Sequence, residues 1–98
     1  MEINGKLGDY IKIVVASADL TLTIGSQGSC ILNFTTPNGY TPILATPYSA
    51  NGWDWVWSTC ALDSSTNSVY AVIKWATTVA GNDSQTYNIK AFVICVKS

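Results

Sequence analysis

Apolar and polar residues alternate along most of this chain with a period of two, the pattern of strands that keep one face dry and one face wet. Residues 10–16 set Ile11, Ile13 and Val15 against Lys12 and Val14, and residues 20–24, Leu-Thr-Leu-Thr-Ile, alternate more cleanly still. After a turn at Gly25-Ser26-Gln27-Gly28, a strand over 30–35 interleaves Cys30, Leu32 and Phe34 with Ile31, Asn33 and Thr35. Pro37-Asn38-Gly39 then breaks the pattern, since Pro fixes its own φ and Asn-Gly favours turns. The strand that follows, 40–48, contains Pro42 and Pro47. Neither can donate a ladder hydrogen bond, so this strand is expected at a sheet edge or broken by a bulge.

Ser49-Ala50-Asn51-Gly52 turns the chain into a strand over 53–62, a polar loop at 63–67 leads to a strand over 68–78, and a second loop at 80–85 leads to a strand over 86–96. A hairpin centred on Ser65 sets Trp55 opposite Trp75, Trp57 opposite Ile73, Thr59 opposite Ala71 and Ala61 opposite Val69, with one face consistently apolar. A slip of one residue would exchange the faces. The last strand ends Ala91-Phe92-Val93-Ile94-Cys95-Val96, apolar on both faces, as suits a central strand or one sandwiched between the sheet and a neighbour. No segment sustains a helical period. The expectation is an all-β fold, an antiparallel β-sandwich or jelly-roll of about seven strands, with residues 10–98 as a single domain and residues 1–9 as a polar lead or linker remnant.

Composition changes this picture in one respect. Charged residues are 11% of the 98 and hydrophobic ones 48%, against about 25% charged in an average soluble domain. Much of the uncharged surface is therefore expected to be Ser, Thr, Asn and Tyr, or to be covered by another subunit. There is no His and no Arg, and the formal net charge is -1. Without a cationic patch nucleic acid is not an expected partner. Without His the commonest general base and metal ligand are missing. Cys30, Cys60 and Cys95 are far apart and odd in number, which favours buried free thiols over a disulfide framework. No run approaches the ~20 apolar residues of a membrane span, so membrane insertion is not expected. No catalytic residue, metal site or cofactor is expected, and the chain reads as not an enzyme. Asp54 is the one acid set among aromatics, and as a catalytic group it is outweighed by a solvated strand position near Lys74.

The candidate chemistry is aromatic. Trp53, Trp55 and Trp57 occupy alternate positions in a chain with four tryptophans, so a strand places all three on one face, about 7 Å apart. Indole and tyrosine rings stack on the apolar faces of sugars, while Asp and Asn bond the hydroxyls. Tyr48, Asn51, Trp53, Asp54 and Trp55 are therefore the candidate ligand-binding residues. The competing reading is that the tryptophans fill core, which suits Trp57 best and Trp53 least.

The run Phe34-Thr35-Thr36-Pro37-Asn38-Gly39-Tyr40-Thr41-Pro42-Ile43, the two polar-looped hairpins after it and the ending Ala91-Phe92-Val93-Ile94-Cys95-Val96-Lys97-Ser98 resemble the C-terminal domains of bacteriophage tail-fibre and receptor-binding proteins. The resemblance covers residues 20–98. It implies a domain at the tip of a fibre, assembled as a homotrimer, made in the bacterial host cytoplasm, displayed on the virion and recognising a host cell-surface glycan or protein. The tryptophan stripe departs from that pattern, and the resemblance carries no ligand residue onto this chain. Two alternatives stand beside it: a purely structural virion or trimerisation domain without ligand, and a monomeric carbohydrate-binding module of a secreted enzyme.

Overall fold

The computed structural model describes residues 10–23, 27–48, 55–75 and 84–98. They form six strands, β1 (Ile11–Thr23), β2 (Gln27–Asn33), β3 (Tyr40–Pro47), β4 (Trp55–Asp63), β5 (Ser68–Trp75) and β6 (Ser84–Lys97). All lie in one antiparallel sheet of order β3-β6-β1-β2-β5-β4. The two outermost strands, β3 and β4, approach within 8 Å between Cα atoms, so the sheet nearly closes into a barrel. The all-β antiparallel class agrees with the sequence. The count is six rather than about seven, and the sheet is continuous, where a sandwich or jelly-roll would keep two sheets apart.

The missing strand has a clear origin. Residues 10–16 and 20–24 were expected as two strands separated by Ser17-Ala18-Asp19, yet β1 runs through them. Ser17, Ala18 and Asp19 pair with Lys90, Ile89 and Asn88 of β6, and the Asn88 amide donates to Asp19 Oδ1 at 3.0 Å. A polar stretch on the wet face interrupts the apolar pattern without interrupting the backbone ladder.

The interior follows the period of two. Ala16 and Leu22 of β1, Leu32 of β2, Val69, Ala71 and Ile73 of β5, and Ile89, Ala91, Val93 and Cys95 of β6 form one buried cluster. Each large aliphatic side chain in it contributes roughly 1.5–3 kcal/mol by leaving water. Gly28, read from sequence as part of a turn, lies inside β2, and a Cβ there would stand 2.5 Å from Leu22 Cδ2 and 3.3 Å from Leu20 Cδ1. The absent side chain lets β2 pass close beneath β1 where the sheet curls.

β3 is an edge strand and its register shifts between Pro42 and Leu44, so the prolines are accommodated by both of the expected means. The turn before it closes with the Tyr40 N–H donating to Pro37 O at 3.1 Å. Gly39 takes φ 83° there, as the third position of a type II turn requires.

The β4–β5 hairpin splits the expected register. Trp55 faces Trp75 and Trp57 faces Ile73, as anticipated, but a shift between Trp57 and Thr59 then sets Thr59 against Val72, Cys60 against Ala71, Ala61 against Tyr70 and Leu62 against Val69. The Thr59–Ala71 and Ala61–Val69 pairs do not form. The turn is one residue tighter than a loop over 63–67, because Asp63 pairs with Ser68. Asp63 Oδ1 accepts from the Ser65 N–H at 3.1 Å and the Ser65 hydroxyl at 2.6 Å, and Asn67 adopts φ 51°. An extra residue at Ser58 restores the outer register. The effect is to turn Cys60 and Leu62 toward the core cluster in place of Thr59 and Ala61, which buries more apolar surface.

Candidate functional site

Side chains that point away from the core divide by position. On β1 and β6 the outward residues at one end form polar rungs. The Thr21 and Thr86 hydroxyls bond at 2.8 Å, those of Thr23 and Ser84 at 3.3 Å, and Asp19 accepts from Asn88. Toward the other end the same two strands carry Ile11 opposite Val96, Ile13 opposite Ile94 and Val15 opposite Phe92. β3 lies alongside this half only, with Leu44 opposite Ile94. Its bulge leaves both Ile43 and Leu44 exposed, at 55% and 51%, next to Ile13 at 59% and Val15 at 46%.

Tyr48 directly follows β3, where the two halves meet. Its N–H donates to Lys90 O at 3.0 Å, which fixes the backbone at the level of the middle of β6. Its ring is half exposed, lies 4.7 Å from the Phe92 ring at a tilt of 36°, and has Lys90 Nζ 5.4 Å from its centroid. The contacts hold the ring as a supported platform with one open face. A similar pair, Lys12 Nζ 4.9 Å over the Tyr40 ring, stands at the other end of β3.

Of the other sequence candidates, Asn51, Trp53 and Asp54 lie outside the described residues. Trp55 is described by its backbone, which pairs with Trp75 at the start of β4. Trp57 packs against the core cluster, as the core reading of that residue anticipated, and its Nε1 is buried with no hydrogen-bond partner among the described residues. Sequence reasoning singled out the tryptophans and passed over Ile13, Leu44 and Ile94. The signal was present in the adjacent apolar pair Ile43-Leu44 and in the two-faced apolar run 91–96.

Titratable groups add little reactivity. Burial raises the pKa of the Cys30, Cys60 and Cys95 thiols, which disfavours thiolate and nucleophilic chemistry; all three are free, Cys95 buried and the other two half-buried. The Ser65 hydroxyl bond lowers the Asp63 pKa. Among the described residues no three metal-ligating side chains gather, and no helix is long and apolar enough to cross a membrane. No family model, curated protein or solved structure matches this chain.

Proposed function

We propose that this chain is a surface module of a bacteriophage virion, the tip of a tail fibre, that assembles as a homotrimer and binds a host cell-surface component, a glycan in preference to a protein. In this reading it binds its target without transforming it. The observation that carries the reading is the Tyr48 platform. A ring held by Phe92 and Lys90 loses little conformational freedom when a sugar face stacks on it. The segment that follows supplies Asn51, Trp53, Asp54 and Trp55, whose amide, carboxylate and indole groups suit hydroxyls and C–H faces.

A second reading, a structural virion or trimerisation domain without ligand, is favoured by the apolar rungs, which have no use in sugar recognition. Tyr48→Ala and the double variant Trp53→Ala/Trp55→Ala separate the two. The expected result is at least about tenfold weaker retention on a glycan array and on bacterial cells, with the oligomer mass by light scattering unchanged. Undiminished retention in both variants would end the recognition reading, and loss of the oligomer would favour the structural one.

A further inference from the structure

We infer that the three apolar rungs on the outer face of β1, β6 and β3 are the surface on which a second copy of this chain docks. The inference deepens the oligomeric part of the function proposed above and rests on it. The rungs are Ile11–Val96, Ile13–Ile94–Leu44 and Val15–Phe92, with Ile43 turned out beside them at the bulge.

The chemistry selects the occupant. Outward positions on these rungs are aliphatic or aromatic, completed by Thr41 and Thr46 of β3, and none is charged. Nucleic acid and anionic lipid surfaces call for cations. A glycan bound here would leave its hydroxyls without partners against Ile, Val and Leu. Another protein surface of the same kind satisfies the patch, and an uncharged apolar face can meet the like faces of its copies around a common rotation axis. Two chains that each carry a net charge of -1 meet through it with no like charges opposed.

The area fits as well. The exposed parts of these side chains amount to on the order of 600 Å², at the top of the ~300–600 Å² range of the largest apolar patch on a typical monomer. That is most of the ~800 Å² that each partner contributes to a standard interface. The neighbouring half of the same strand pair bonds its outward groups to one another, so the polar-to-apolar change after Ser17 and Lys90 marks the boundary of what is covered. Tyr48 stands on that boundary and stays open at the rim.

The test is light scattering of the full chain across a concentration series, for the wild type and for Ile13→Lys, Leu44→Lys and the polar-half control Thr21→Lys, each checked for fold by circular dichroism. Ile13→Lys and Leu44→Lys are expected to weaken self-association about 100-fold or more, because each would bury an unpaired charge, while Thr21→Lys leaves it unchanged. If a Lys variant does not fold, Ile13→Thr and Leu44→Thr, which keep strand propensity, replace it. A wild-type oligomer that survives these substitutions overturns this surface and leaves the oligomeric reading standing. A wild-type mass of one chain, 10.5 kDa, at every concentration overturns both.

Discussion

The two halves of the β1–β6 pair share a backbone ladder and differ in what they show the outside. From Asp19 to Thr23 the outward rungs are Asp–Asn, Thr–Thr and Thr–Ser, each closed by a side-chain hydrogen bond. From Ile11 to Val15 they are Ile–Val, Ile–Ile and Val–Phe. The inner face makes no such distinction, since Ile89 and Leu22 under the polar half and Val93 and Ala16 under the apolar half are all buried. One strand pair thus has a uniform interior and a divided exterior. Hydrophobic burial builds the core beneath both halves, and the outward positions are free to serve either water or a partner.

That contrast can be broken or sharpened by substitution. The largest effects belong to the shared interior: Ile89→Ala is expected to cost about 2–5 kcal/mol and Val93→Ala about 1–3 kcal/mol in urea melts. A near-neutral result at either position would mean that the interior is not continuous beneath both halves. Gly28→Ala comes next, at about 1–3 kcal/mol, because the new methyl group meets Leu22 Cδ2. An unchanged midpoint there would show that β2 can move away from β1 without loss. Converting the polar rung, Thr21→Val with Thr86→Val, is expected to change monomer stability by less than about 1 kcal/mol. The new apolar rung is separated from the apolar half by Asp19–Asn88 and Ser17–Lys90, so self-association by light scattering is expected to stay unchanged; a gain would place the boundary of the covered region elsewhere.

The smallest effect lies at the β4–β5 turn, which takes no part in either half. The Asp63 carboxyl has its pKa lowered by the Ser65 hydroxyl. A lowered folded-state pKa contributes stability that is present above the usual carboxylate range and is lost as pH falls through the folded value. The difference in melting temperature between wild type and Asp63→Ala is therefore expected to be small, greatest at neutral pH and to shrink in acid. A difference that grows in acid would contradict the assigned bond.

Much of the fold was legible in the period of two. The edge position and bulge of β3 followed from Pro42 and Pro47, and the central place of β6 from its two-faced apolar end. What misled were positions where a local feature stood in for a long-range one. Ser17-Ala18-Asp19 fell between two expected strands because the break in apolar alternation was visible and their partners in β6 were not. The β4–β5 register was correct at Trp55–Trp75 and Trp57–Ile73 and slipped beyond Ser58, because the Asp63–Ser65 contact tightened the turn by a residue. The aromatic candidates were readable as residue types. That Tyr48 is braced by Phe92 and Lys90, 44 and 42 positions away in sequence, was not.

Alternation, turn residues and the shortage of charge were enough by themselves to determine an antiparallel all-β chain with more apolar positions than its core can use, because side-chain period and composition are properties of the sequence. Which of those positions are left over was decided by tertiary structure alone. Ile13 and Val14, or Ile94 and Val93, are indistinguishable to a pattern of hydrophobicity. Only the pairing of β6 with β1 and β3 turns Val14 and Val93 toward the core and leaves Ile13 and Ile94 on the face that meets the outside.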